Sequence, residues 1–95
     1  MKTIIRRRDS GKARELIEAA VKENAVIITE NKAALKVKAH GYGIDNVNIY
    51  DYNDLGNLPA GQKIMIHNMD KFTRDLLITE YGLDLIGFSA TEEIE

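Results

Sequence analysis

The sequence predicts a single α/β domain, spanning residues 1–95, with a mostly parallel sheet. Short β-prone segments alternate with segments of helical periodicity along all 95 residues. One of the strand segments, residues 25–29, is almost entirely apolar and β-branched, as is typical of a strand covered on both faces. Helices of about ten residues between strands are typical of right-handed βαβ units, so we expect a three-layer sandwich with five strands.

Each element follows from its own pattern of residues. Apolar residues at helical spacing predict the helices, β-branched runs predict the strands, and glycine, proline and asparagine mark the ends. The predicted strands are 3–5, 25–29, 47–50, 63–67 and 83–88. The predicted helices are 12–23, ended by Asn24, 31–39, capped by Gly41, and 71–80, which Asp70 begins and Gly82 ends. The residues expected to be buried on the second helix are Ala34, Leu35 and Val37. Residues 51–61 are predicted as a loop that starts with one helical turn, and 92–95 as a frayed acidic tail.

Composition and charge restrict the class of protein. The chain has no cysteine, which excludes disulfides, thiolate metal sites and a cysteine nucleophile. No apolar stretch approaches the roughly 20 residues that cross a membrane, and no hydrophobic segment follows the first basic residues. We therefore expect a cytoplasmic protein without membrane contact. Residues 1–14 hold six basic groups and one acid, whereas the other 81 hold seven basic groups and fourteen acids. This distribution indicates either an anionic partner near residues 1–14 or a solvated basic turn.

The loop between the first strand and the first helix carries a phosphate-binding pattern. Ser10, Gly11 and Lys12 match the end of the Walker A motif, G-x-x-x-x-G-K-[ST], in which glycine allows close backbone approach and lysine reaches the terminal phosphates. Arg6 replaces the first glycine of the motif, and Ala13 replaces the residue that holds Mg²⁺. The alternative is that Lys12 is an exposed lysine in the first helical turn. The predicted phosphate-binding residues are Arg8, Asp9, Ser10, Gly11, Lys12 and Ala13.

Two further segments strengthen this pattern. His67, Asn68 and Asp70 follow the apolar strand 64–66, and Ser89, Ala90 and Thr91 follow the last strand. Together with the loop, they resemble the first domain of superfamily-2, DEAD-box-like helicases, a group of P-loop NTPases. Residues 67–70 align with the D-E-A-D motif, and residues 89–91 match the S-A-T motif. The resemblance implies strand order 1-5-4-2-3, ATP or another nucleotide as ligand, and a degenerate, minimal domain of the kind that phages carry.

Substitutions at three positions of these motifs argue against hydrolysis. Ala13 cannot ligate a metal ion, neutral His67 is a poor ligand for Mg²⁺, and Asn68 cannot act as a base. Phosphate binding needs only backbone N–H groups, Lys12 and nearby arginines. We therefore expect a vestigial nucleotide- or phosphate-binding domain with no catalytic residue and no bound metal.

Other interpretations remain open at the level of sequence. The basic edge from Arg6 to Arg14 is compatible with weak, salt-dependent binding to nucleic acid. A small adaptor or regulatory protein is a third hypothesis, and it includes a homodimer that pairs through the last strand or the third strand. Asp70 is equally explained as a helix N-cap, and Ser89 and Thr91 as residues that end a strand.

Overall fold

The computed structural model describes residues 2–6, 11–67 and 82–91. The predicted helix 71–80, its N-cap Asp70 and the tail 92–95 lie outside these residues. The described elements alternate as the sequence predicts. In chain order they are β1 (Lys2–Arg6), α1 (Lys12–Glu23), β2 (Val26–Thr29), α2 (Lys32–Gly41), β3 (Ile49–Asp51), the 3-10 helix η1 (Tyr52–Asn57), β4 (Lys63–Ile66) and β5 (Asp84–Thr91).

The five strands form one sheet in which every pair is parallel. Their order is β1-β5-β4-β2-β3, which confirms the predicted order. β5 pairs with β1 on one side and with β4 on the other. The expectation that the last strand pairs with a second copy is therefore wrong, because both of its edges are already hydrogen-bonded. The edges of this sheet are β1 and β3.

Two apolar clusters lie on opposite faces of the sheet, as expected for parallel strands. α1 and α2 cover one face, and their side chains pack on alternate residues of the strands, among them Ile4, Ile27 and Met65. On the other face, Leu55 of η1 packs with Val26, Ile28, Ile64, Ile66, Leu83 and Leu85. All four residues of β2 are buried, in agreement with its uninterrupted apolar sequence. Two layers and η1 are thus described, and the rest of the predicted third layer lies outside the described residues.

The bounds of α1 are those that the sequence predicts, and the residue after it is Asn24. This residue adopts the left-handed conformation, with φ of 55°, and its N–H donates to the carbonyl groups of Ala20 and Val21. No helix among the described residues is long and apolar enough to span a membrane.

The second helix differs from its prediction at three points. It begins one residue later, because the side chain of Asn31 caps it by accepting a hydrogen bond from the N–H of Ala34. Gly41 is its last helical residue and not its cap. Leu35 and Ala39, four residues apart, face the sheet, so the expected burial of Ala34 and Val37 is wrong, and Val37 is 73% exposed.

All five strands differ from their predicted bounds, by one residue at one or both ends in β1, β2 and β4 and by more in β3 and β5. β3 begins two residues later than expected and runs to Asp51, after which η1 supplies the predicted helical turn. β5 continues to Thr91, because β1 lies beside it and pairs with residues 87–91. Gly87 permits this close packing, since a Cβ atom there would lie 3.1 Å from the Cβ of Lys2 and 3.2 Å from the Cγ of Met65.

Candidate functional site

The start of α1 carries the part of the predicted phosphate-binding loop that the structure describes. Gly11 precedes the helix in the left-handed conformation, with φ of 81° and ψ of 11°, and no side chain caps the helix there. Ala13 is buried in the apolar cluster beneath α1. Arg8, Asp9 and Ser10 lie outside the described residues. Arg6 is the last residue of β1, opposite Thr91 in the sheet.

Lys12 is buried, with only 8% of its surface exposed. The alternative that it is an ordinary exposed lysine of the first turn is therefore wrong. Among the residues that the structure describes, none accepts a hydrogen bond from Lys12 or forms a salt bridge with it. A positive charge in the first helical turn also opposes the helix dipole. Since no buried side-chain nitrogen among the described residues lacks a hydrogen-bond partner, the amine of Lys12 keeps contact with solvent while its stem is covered. An anion beside this amine would offset its unfavourable interaction with the helix dipole.

His67 lies at the same edge of the sheet, immediately after β4. Its backbone N–H donates to the carbonyl group of Ile28 at 2.9 Å, which keeps it in line with the neighbouring strand β2. Its ring Nδ1 is 3.2 Å from the hydroxyl oxygen of Thr29, the last residue of β2. Thr29 is only 3% exposed, so the imidazole satisfies a hydroxyl group that is removed from water.

Burial and two nearby lysines determine the charge of His67. Burial, and to a smaller extent the positive charges of Lys38 and Lys12, together lower the pKa of the imidazole to about 4. His67 is therefore neutral at pH 7. Lys12 begins the helix that follows β1, and His67 follows β4, so both residues lie at the edge of the sheet where the carboxyl ends of the parallel strands meet. Asn68 and Asp70 lie outside the described residues.

Ser89, Ala90 and Thr91 do not follow the last strand, as the sequence suggested, but lie within β5. Ser89 is fully buried and pairs with Ile4 of β1. Since Ile66 is paired with Phe88, Ser89 is in register with the next residue, His67. The structure thus brings Ser89 to the level of His67 in the sheet, as a residue inside a strand and not as part of a loop.

A pocket of about 110 Å³ opens beside His67, between the end of β2 and α2. Thr29 and His67 form one wall, and Lys38 of α2 lies across from them. The sequence analysis did not single out Lys38 as a residue of the site. Lys38 is seven residues beyond the N-cap Asn31, and this spacing returns it to the same face of the helix, so the periodicity contains a signal that could have identified it.

The described residues do not include any group of three or more histidine or acidic side chains that could hold a metal ion. Comparison with known proteins adds no assignment, because no protein-family model, curated protein or solved structure matches this chain. The chemistry of this edge of the sheet therefore rests on its own residues. They include the cationic Lys12 and Lys38, the neutral His67 and Thr29, and one exposed acid, Glu30, at the ends of parallel strands and helices. The cationic and neutral groups are of the kind that bind an oxyanion.

Proposed function

We propose that this protein binds a phosphate group, carried by a nucleotide such as ATP or by a smaller anion, at the N-terminal end of α1, and that it does not hydrolyse it. The observation that carries the proposal is the burial of Lys12, which is 8% exposed and has no described hydrogen-bond acceptor. Gly11, with φ of 81°, leaves the backbone before the helix without a Cβ atom that would obstruct a ligand. An anion at this position would relieve the unfavourable charge at the helix terminus.

The absence of hydrolysis in this proposal follows from the chemistry of two residues. Ala13 stands where a Walker A motif has a hydroxyl group for Mg²⁺, and its side chain packs in the apolar cluster. His67 stands where the motif of the helicases has a metal-binding acid, and its ring is neutral and contacts Thr29. Neither residue offers the oxygen ligands that Mg²⁺ prefers. Binding in this proposal therefore does not depend on Mg²⁺.

The relationship to P-loop NTPases belongs to the same proposal. The strand order 1-5-4-2-3 and the positions of Gly11 and Lys12 at a strand-to-helix junction support a degenerate P-loop domain. A phage-type origin and a cytoplasmic location are further parts of it, and the lack of cysteine fits a reducing compartment.

The nucleic-acid alternative has less support among the described residues. Arg14, a member of the basic edge, forms a salt bridge with Glu18 at 2.9 Å, and its guanidinium group lies 5.7 Å from the ring centre of Tyr42. Lys12, a second member, is buried. The adaptor hypothesis stays a prediction, with β1 and β3 as the edges through which a partner strand would pair.

Calorimetric titration with ATP, ADP and pyrophosphate tests the proposal. We expect Lys12→Met, which keeps the buried apolar stem and removes the charge, to weaken binding about ten- to a hundredfold, the usual effect of losing a charged hydrogen bond. Lys22→Met is the matched control, because Lys22 is an exposed lysine in the last turn of the same helix. The affinity for each ligand should be the same in the presence of Mg²⁺ as in the presence of EDTA. No heat with millimolar ligand, or equal affinities for both variants, would contradict the proposal.

A further inference from the structure

The pocket beside His67 has the size of a small anion. Its volume is about 110 Å³. Since water occupies about 30 Å³ per molecule in the liquid, the pocket has room for three or four waters. A tetrahedral oxyanion, with four oxygens around one central atom, fits this space. Leu35 of α2, which is buried, is the apolar part of the lining.

The polar groups of the pocket come from three separate elements. Thr29 ends β2, His67 follows β4, and Lys38 projects from α2. Helix side chains point towards the N-terminus of their helix, so Lys38 lies over the preceding turn, at Ala34, and closes the pocket from that side. Such a site is positioned by strands and a helix and not by a mobile loop, which favours a specific ligand geometry.

The charge around the pocket favours an anion. Among the described residues, the charged groups that line it or act on the His67 ring are Lys38 from α2, Lys12 from α1 and Glu30 after β2. Two of these groups are positive and one is negative. Glu30 is exposed, so its carboxylate can turn towards solvent.

We infer that the pocket formed by Thr29, Lys38 and His67 binds a phosphate-sized tetrahedral oxyanion. Lys38 supplies the positive charge, and the Thr29 hydroxyl and the imidazole supply hydrogen-bond donors. This site uses different residues from the phosphate site at the start of α1, so either site can exist without the other.

Entry of the anion changes the protonation of His67. Without an anion beside it the ring is neutral at pH 7, because burial and the two lysines disfavour its charge. An anion within hydrogen-bond distance raises the pKa of a histidine by about one to three pH units. The protonated ring donates from both nitrogens, and the Thr29 hydroxyl then accepts from Nδ1. The 3.2 Å contact between Nδ1 and the hydroxyl oxygen is therefore compatible with both the neutral and the protonated ring. Binding therefore takes up a proton and becomes tighter as the pH falls towards 5.

NMR titration of the histidine side chains with sulfate tests this inference directly. Sulfate keeps its charge between pH 4 and 8, and the chain has two histidines, so His40 is an internal reference. We expect sulfate to raise the pKa of His67 by about one pH unit or more and to leave His40 unchanged. Lys38→Met should abolish this effect. Lys36→Met is the matched control, because Lys36 lies on the same helix but does not line this pocket.

Three outcomes of this titration distinguish the pocket at His67 from the phosphate site proposed at the start of α1. Loss of the sulfate effect in Lys38→Met but not in Lys12→Met supports the inference, even if nucleotide binding fails. Loss in Lys12→Met alone places the anion at α1 and overturns the inference while leaving the proposed function intact. A His67 resonance that does not respond to sulfate overturns it as well. Titration with ADP identifies the source of the oxyanion. If ADP raises the pKa of His67 at a lower concentration than sulfate does, the pocket binds the phosphoryl group of a nucleotide. If the two are needed at the same concentration, the pocket binds a free anion.

Discussion

The two ends of α1 are built in opposite ways. At the C-terminal end, Asn24 caps two carbonyl groups, and Lys22 places a cation where the helix dipole favours it. At the N-terminal end no side chain caps the helix, and Lys12, whose side chain is mostly covered, places a positive charge where it opposes the dipole. Glu15 does give the first turn a favourable charge, but its carboxylate is shared with Lys2 at 3.4 Å.

Under the proposed function, this contrast separates an end of the helix that serves stability from an end that serves binding. A sequence that is locally consistent with its fold stabilises the fold, and departures from that consistency are expected at functional sites. The C-terminal end follows the rules of helix stability. The N-terminal end departs from them at the point where the sequence resembles a phosphate-binding loop. Variants that change one end of the helix at a time test whether the two ends differ in this way.

The largest expected effect concerns His67, which Lys12 influences from the N-terminal end of α1. Its pKa is about 4 in the folded protein, against 6.5 in an unfolded chain. As the pH falls from 6.5 to 4, the unfolded chain therefore gains a proton that the folded protein does not, and the free energy of unfolding decreases. We expect His67 to account for roughly 2 kcal/mol of that decrease, a value reduced from the full shift because the ring is partly exposed.

Urea denaturation between pH 7 and 4 measures this contribution. His67→Gln should lose less stability over that range than the wild type, and His40→Gln should follow the wild type. Equal pH dependence in wild type and His67→Gln would show that the imidazole is not held neutral.

The next largest effect concerns the backbone before α1. Gly11 has a φ of 81°, and a side chain other than glycine in the left-handed region costs about 1–2 kcal/mol. Because no atom lies within 4 Å of a Cβ built at this position, the cost in Gly11→Ala comes from the backbone alone. At the other end, Asn24→Gly should keep or slightly raise the stability, because glycine adopts this conformation freely. Equilibrium unfolding of both variants checks the pair, and a Gly11→Ala variant as stable as wild type would show a different loop conformation.

A smaller effect is expected at α2, which begins with a conventional cap. The side chain of Asn31 accepts a hydrogen bond from the N–H of Ala34 at 3.1 Å. Asn31→Ala should lower the free energy of unfolding by about 1 kcal/mol, the usual value for a lost N-cap. Asn46→Ala, at an exposed position before β3, is the control and should change little. If the two variants were equally stable, the Asn31 cap would contribute nothing to stability. The lack of a side-chain cap at α1 would then not distinguish its start from that of α2.

Much of the fold could be predicted from the sequence because its patterns are strong. The amphipathic period over residues 12–23 and the apolar run of β2 defined their elements almost to the residue. Strand order came from the helicase resemblance, since no local pattern contains it. The ends of β3 and β5 were wrong because they depend on pairing: β5 extends to Thr91 where β1 lies beside it, and residues 89–91 alone look like the end of a strand.

The candidate site was predicted only in part, for a similar reason. Gly11, Lys12 and His67 were identified because they occupy positions of known motifs. The burial of Lys12, the neutral state of His67 and the participation of Lys38 arise from packing between α1, α2 and the sheet, which is not visible in one dimension. Val37 illustrates the same limit, because a short helix with few apolar residues does not reveal which of them face the sheet.

Thermal unfolding of wild type, Lys12→Met and Lys22→Met, each with and without pyrophosphate, tests most directly whether Lys12 binds a phosphate ligand. Without ligand, Lys12→Met should melt about 2–6 °C higher than wild type, because it removes a charge that opposes the helix dipole. Pyrophosphate should raise the melting temperature of wild type and Lys22→Met but not of Lys12→Met. A Lys12→Met variant that melts lower than wild type, or that is stabilised by pyrophosphate to the same extent, would show that Lys12 serves the fold and not a phosphate ligand.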